Sequence, residues 1–360
     1  ALFAYLLYET SPEDRTMKNV LKLLLLADVH EGDDDYKTPL DVLFEDVEKE
    51  KPDCFAVIQY KKFKQSKGRT AASILSTANS RLDKFYVDSV AELTSTDDLH
   101  FDHLGDDPKH PVALFVILSD TNSSLNFLAA MMFQQLFDTL IWRADNVYDG
   151  SLPCPVRFIL DEFKNIGKIP DFDKKYATIR SRNISADVIL QSLSQLKEMY
   201  KESWESIIGC CDSLLYLGSI ETFTNEYVSK MIGKTTVDNK NASVSKGSHG
   251  SYSIADQIIG RELITPDELA RLHSEECVLI LAHKKPFRSL KYDPAKHPNY
   301  SQTSLADKKN TFHLNQHILN ESKAIDPAEI PEPPDDNLLQ ADVLDLSAEE
   351  ANEFNSLFEE

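Results

Sequence analysis

The hydrophobic rhythm of this chain changes once, and that change limits its possible folds more than any other feature. From Ala1 to about Ala91, apolar residues recur at three- and four-residue spacing in ALFAYLLYE, MKNVLKLLLLADV and TAASILSTANSRLDKF, the period of amphipathic helices. No convincing strand pattern is visible there. A polar connector rich in turn formers follows, LHFDHLGDDPKH from Leu99 to His110. Beyond it come short apolar runs: VALFVIL at Val112, VRFILD at Val156, ADVILQ at Ala186, SLLYLG at Ser213 and CVLILA at Cys277. Each predicts a buried strand. Helices are expected between them at about Leu125–Val147, Asp171–Arg180, Leu193–Tyr200 and Asn225–Ile232. Such alternation predicts an α/β fold with a parallel sheet covered on both faces.

Local signals sharpen this outline. Gly233 sits where a helix C-cap belongs, and Thr265-Pro-Asp-Glu268 reads as a capping box with proline at the first helical position. Asp238 to Ser253 is rich in Ser, Asn, Gly and Lys and predicts a mobile surface loop. The acidic stretch Glu31 to Asp35 separates two of the early helices.

The length of 360 residues suggests about two domains of roughly 100–200 residues. We expect a helical domain over 1–98, an α/β domain over 99–325, and a tail over 326–360. The tail holds 12 acidic residues and no Lys or Arg, more than half of the net charge of −21, and composition predicts that it is disordered. Its segments LLQADVLDL and FNSLF mix acidic with apolar residues, which also suits folding on a partner. No apolar run nears the roughly 20 residues of a membrane helix. Five cysteines without a CxxC pair argue against a disulfide framework and for a reducing cytosol, with Cys210 and Cys211 expected as buried small hydrophobes.

Candidate chemistry centres on the run Val156–Leu160, which ends at once in Asp161 and Glu162. Two carboxylates at the carboxyl end of a buried strand suit a nucleotide hydrolase, one holding Mg²⁺ through water and the other polarising the attacking water. Surface Asp-Glu pairs are abundant, so the neighbouring run matters: Asp187–Leu190 leads into Gln191, a neutral amide suited to sensing a γ-phosphate or the water. A surface glutamine beside a helix is the bland alternative. Between the two runs, Arg180 and Arg182 could supply a charge-stabilising finger to a neighbouring subunit, or form an ordinary solvated face. Gly233-Lys234-Thr235 imitates the end of a phosphate-binding loop, but GxxxxGK[ST] requires glycine where Val228 stands, and the segment follows a helix. It is rejected. As no other GK[ST] occurs, the chain is not expected to hydrolyse ATP by itself.

YKKFKQSKGR gathers Lys61, Lys62, Lys64, Lys67 and Arg69 beside Tyr60 and Phe63, a mixture that could track a nucleic-acid strand or grip an acidic partner. The preferred reading is a solvated helix end whose aromatics pack inward. The net negative charge opposes general DNA binding. His100 and His103 are spaced like metal ligands, but with no cysteine nearby they are not assigned to zinc.

Taken in order, ALFVILSDTNSSLNFLAAMMFQQLFDTL, FILDEFKNIGKIPDFDKKYATIRSRNISADVILQSLSQLKEMY, GKTTV, RELITPDELARL and KYDPAKHPNY resemble the type IV secretion coupling proteins, the TraG-like conjugative DNA-transfer ATPases. The resemblance spans roughly Ala71 to Tyr300. It implies a RecA-like P-loop ATPase that assembles as a homo-hexameric ring at the cytoplasmic face of the bacterial plasma membrane. Such a ring uses ATP and Mg²⁺ to deliver single-stranded DNA with its attached relaxase to the secretion channel. Carried over by position, Asp161 is the Mg²⁺-associated Walker B carboxylate, Glu162 the catalytic base, Gln191 the sensor amide and Arg180 the finger, with Arg182 as fallback. Residues 1–98 are compatible with the family's all-α domain, an insertion in its nucleotide-binding domain. The family's membrane helices and phosphate loop are expected upstream of Ala1, so the chain reads as a truncated product, soluble as it stands. Two other readings remain: a catalytically inactive module that docks relaxase or ring subunits, and, more weakly, a translocase of the FtsK or HerA kind.

Overall fold

The structure is a computed structural model that describes residues 1–28, 36–119, 123–244 and 252–313. It divides into two compact units, Ala1–Asp212 and a second beginning at Ser213. The expected boundary near residue 99 is therefore not where compactness divides the chain. The connector stays with the first unit because Arg143 donates to Asp106 at 2.7 Å and Cys154 N donates to Gly105 O at 3.0 Å. Gly105, at φ +83°, passes so close to Val156 that a Cβ would sit 2.9 Å from its Cγ2, which only glycine tolerates.

The first unit opens with helices α1 (Leu2–Glu9), α2 (Met17–Leu25), α3 (Pro39–Glu50), α4 (Phe55–Lys64), α5 (Arg69–Leu82) and α6 (Asp88–Leu93). Thr38 starts α3 with a reciprocal capping box to Asp41 and Pro39 in its first turn, the combination that best satisfies orphan N–H groups. Two faces of α2 serve two cores. Val20 and Leu23 join Ala4, Leu6, Leu40, Phe44, Val57 and Tyr60, while Leu21 packs with Phe85 and Val90 against Phe127 and Leu128. The last two belong to the long helix α7 (Asn126–Asn146) and its first turns.

Next come β1 (Val156–Leu160), α8 (Phe163–Ile166), α9 (Phe172–Thr178), β2 (Ile184–Val188), α10 (Leu193–Tyr200) and α11 (Trp204–Gly209). β1 and β2 pair in parallel, Val156 opposite Ile184 through Leu160 opposite Val188. The two-residue period of a strand buries Phe158 and Leu160 and leaves Ile159 exposed. Phe158 stacks on Phe137 of α7 with centroids 4.1 Å apart, and Phe137 meets Phe172 edge-on at 5.8 Å. Phe163, Phe172 and Tyr200 continue this aromatic core, so α8, α9 and α10 are fixed around the ends of the strand pair.

The second unit comprises β3 (Ser213–Tyr216), α12 (Thr222–Ile232), β4 (Lys234–Val244), β5 (Tyr252–Glu262), α13 (Pro266–Ala270), β6 (Glu276–Leu281) and β7 (Phe287–Leu290). Its core is Tyr216, Val228, Ile232, Leu269 and Val278. Gly233 ends α12 at φ +94°, and Thr265 with Glu268 forms the expected capping box.

The architecture is α/β, yet several expectations fail. The apolar runs do not build one parallel sheet among the described residues. β1–β2 is parallel, whereas β3–β6–β7 is antiparallel and β4–β5 is a third, separate set. Residues 112–118 form no strand: apolar content gives strand propensity, but a ladder needs a neighbour, and Phe115 and Ile117 are more than 80 % exposed. Of the loop expected over Asp238 to Ser253, residues 238–244 and 252–253 lie within an antiparallel ribbon, Lys234 opposite Glu262 through Val244 opposite Tyr252, and 245–251 lie outside the described residues. Cross-strand pairing overrides the polar composition there. Cys210 is exposed and Cys211 only partly buried, because both lie at the open end of α11. Glu31–Asp35 and the acidic tail lie outside the described residues. Among those described, no helix is long and apolar enough to cross a membrane.

Candidate functional site

Parallel pairing brings the carboxyl ends of β1 and β2 to one edge. Hydrogen bonding continues past the strands, Ile189 N donating to Leu160 O at 3.0 Å and Phe163 N to Ile189 O at 3.1 Å. Asp161 and Glu162 therefore leave β1 beside the segment that carries Gln191 out of β2. All three side chains are exposed. Beneath them, Lys164 of α8 pairs with Glu198 of α10 at 2.8 Å, and Phe163 stacks on Tyr200, so the two segments are held together from below.

The backbone turns sharply here. Glu162 adopts φ +46° and ψ +49°, a left-handed conformation that costs a non-glycine residue about 1–3 kcal/mol and clusters at functional sites. Asp161 Oδ1 accepts the Glu162 N–H at 2.9 Å, which directs one carboxylate oxygen at the turn and leaves Oδ2 for a water of a hydrated cation. Glu162 Oε2 accepts from Asn165 Nδ2 at 2.6 Å. Gln191 is tied to Gln195, whose Oε1 accepts the Gln191 N–H at 3.3 Å and whose Nε2 donates to Gln191 Oε1 at 3.4 Å. These residues suit the cation and water side of a nucleotide site. Among the described residues Lys234 does not supply the phosphate-cradling side, since it follows a helix and faces Glu262 at 4.0 Å across an antiparallel strand pair.

Arg180 and Arg182 are not brought to this edge. They occupy the 3₁₀ turn Ile179–Arg182 ahead of β2, so a five-residue strand, about 16 Å, separates them from it. The two arginines also differ in kind. Arg180 is 84 % exposed and pairs with the exposed Asp212 at 3.2 Å. Arg182 is 21 % exposed, pairs with Asp145 of α7 at 2.8 Å and donates to Thr178 O at 2.8 Å.

The basic segment is largely absorbed by structure. Tyr60 is buried and stacks on Phe44 at 4.1 Å; Phe63 packs beside it. Lys61 pairs with Glu48 and Lys64 with Asp41. Lys62, Lys67 and Arg69 are exposed at the α4–α5 turn. Asp41 accepts from Thr38 N, Thr38 Oγ1, Tyr60 Oη and Lys64 Nζ. Burial alone would raise its carboxyl, but those hydrogen bonds outweigh it and hold the group below the usual aspartate range. Burial, with Asp41 beside it, pushes the Tyr60 phenol far above its ordinary value.

Sequence reading missed Asn165, Gln195 and the Asp41 cluster. The first two stand three and four residues after a candidate site residue, a spacing that signals a partner only once Asn165 and Gln195 are known to lie in the helix that follows each strand.

A family model described as Type IV secretory system Conjugative DNA transfer matches residues 1–316. Protein VirD4 of Rhizobium radiobacter is 25 % identical over 175 residues, which cover 48 % of this chain and 25 % of that protein. Conjugal transfer protein TraG of Escherichia coli is 28 % identical over 214 residues, 56 % of this chain and 33 % of TraG. The chain thus spans a quarter to a third of the length of these curated relatives. Among solved structures, the plasmid coupling protein TrwB in complex with the non-hydrolysable GTP analogue GDPNP aligns with a TM-score of 0.57 at 15 % identity, covering 82 % of this chain and 63 % of TrwB. TrwB with ADP and Mg²⁺ aligns at 0.54 and 16 % identity, covering 82 % and 62 %. The likeness in fold and the family match over most of the chain agree, and the chain belongs to the type IV secretory system conjugative DNA-transfer family, as a coupling protein of the TraG type.

Proposed function

We propose that the chain carries the Walker B half of a RecA-like coupling ATPase, which links ATP hydrolysis to delivery of relaxase-bound single-stranded DNA to a type IV secretion channel. Asp161 and Glu162 at the end of β1, beside Gln191 at the end of the parallel β2, are the observation that carries this reading. When Mg²⁺ and ATP are bound, Asp161 would hold the cation, Glu162 would accept the proton of the attacking water, and Gln191 would contact the γ-phosphate. Bound Mg²⁺ would neutralise charge developing on the phosphates. Within one chain Arg180 lies too far from the carboxylates to help, but its exposure fits a finger supplied across a ring interface, and the solved relatives with bound nucleotide support ATP and Mg²⁺ as ligands. Arg182, held by Asp145, is ill-suited to that task. Residues 1–98 are assigned to the all-α domain, and the assembly to a hexameric ring at the cytoplasmic face of the plasma membrane.

The test is Glu162→Gln in the complete gene product, with phosphate release and nucleotide affinity measured together. Release should fall by about 10²- to 10⁴-fold with affinity retained; undiminished release refutes the reading. The alternative is a catalytically inactive module that docks relaxase or ring subunits. On that view the complete gene product binds no nucleotide. The FtsK or HerA reading gains nothing from the family match.

A further inference from the structure

We infer that Asn165 is the positioning residue of the candidate base, fixing Glu162 so that Oε2 is engaged and Oε1 is the atom that takes the proton from water. This deepens the proposed function and rests on its assignment of Glu162. Three observations converge on it. Glu162 is the N-cap of α8, where a carboxylate ordinarily accepts a backbone N–H of the first turn, yet its side chain makes no such bond. That carboxylate instead receives the side-chain amide of Asn165 at 2.6 Å, in the short range of hydrogen bonds to charged acceptors. Asn165 is itself fixed, because its own N–H donates to Glu162 O at 2.7 Å.

The chemistry favours an amide in this place. A carboxylate with two equivalent oxygens and free torsions presents its proton-accepting atom at random, so holding one oxygen raises the fraction of time the other is aimed. A neutral donor does this without the second positive charge that lysine or arginine would bring beside Mg²⁺. A second carboxylate there would repel Glu162 and has no proton to donate to it. Gln191 is held in a similar but looser way by Gln195, at 3.3–3.4 Å, so both candidate site side chains are oriented by amides from the helices that follow their strands.

The experiment uses the complete gene product with Asn165→Ala, Asn165→Gln and Asn165→Asp, with Glu162→Gln as control, reading kcat, KM for ATP and the urea unfolding midpoint. The expected result for Asn165→Ala is a kcat lower by about tenfold at unchanged KM and unchanged unfolding midpoint, with partial rescue by Asn165→Gln. Asn165→Asp, which has no amide to donate, should lower kcat at unchanged KM as Asn165→Ala does, a split that a merely structural loss would not produce. If Glu162→Gln is inactive while Asn165→Ala turns over at or above the wild-type rate, the positioning role is refuted. If Glu162→Gln is active, the base assignment fails first, and the inference with it.

Discussion

Replacing Arg180 and Arg182 separately by alanine should produce opposite phenotypes. Arg182 joins the turn before β2 to α7 through Asp145 and to its own turn through Thr178 O, both at 2.8 Å, with its guanidinium mostly out of solvent. Hydrogen bonds to charged groups contribute about 1.5–3 kcal/mol each, and the partial exposure of Asp145 pulls its share to the low end. Arg182→Ala should therefore cost about 2 kcal/mol. Arg180 is exposed and faces an exposed aspartate, so Arg180→Ala should change stability by no more than about 0.5 kcal/mol. At a urea dependence of about 1–3 kcal/mol/M, the Arg182 variant should lose roughly 0.7–2 M in midpoint while the Arg180 variant stays in place. Both tryptophans, Trp142 and Trp204, lie in the first unit, so their fluorescence follows the unit that contains both arginines. Turnover by the complete gene product should show the reverse: Arg180→Ala abolishes hydrolysis with nucleotide binding nearly intact. Equal midpoints would remove the distinction drawn from burial, and normal turnover of Arg180→Ala would remove that residue from the mechanism.

Two further outcomes are expected. Asp41→Asn should cost the helical region about 1–3 kcal/mol at pH 7, since Lys64, Tyr60 and Thr38 all donate to the ionised carboxylate. Because the folded carboxyl sits below the ordinary value of about 3.9, its contribution is complete above that pH and disappears as pH falls through the lowered value. The gap between wild type and Asp41→Asn in urea unfolding should accordingly close as the pH is taken below the ordinary aspartate value, and a gap independent of pH would contradict the assignment. Lys234→Ala should leave nucleotide affinity of the complete gene product unchanged, because Lys234 begins a hairpin strand; a tenfold loss would reinstate the phosphate-loop reading of Gly233-Lys234-Thr235.

What could be read without coordinates was local. The apolar period located α7, α10 and α12, and Thr265 and Gly233 marked helix ends because capping depends on a few neighbouring residues. The run Val156–Leu160 was legible as a strand, and with it the place of Asp161 and Glu162 in the chain. Strand partners were not legible, since a period of two specifies a face and says nothing about which neighbour completes the ladder. For that reason Val112–Leu118 stays unpaired, β3 and β6 run antiparallel, and the polar stretch after Lys234 becomes a hairpin strand.

The candidate site divides along the same line. Which residue types end β1 and β2 was fixed by the sequence of each segment. That their ends share an edge, that both arginines precede β2 at the other, and that Arg182 is tied down while Arg180 is exposed were decided only by tertiary structure. So was the hold of Asn165 on Glu162, which accompanies the left-handed turn at Glu162. Local preference chooses the segments; burial and hydrogen-bond partners drawn from distant segments decide which side chains meet.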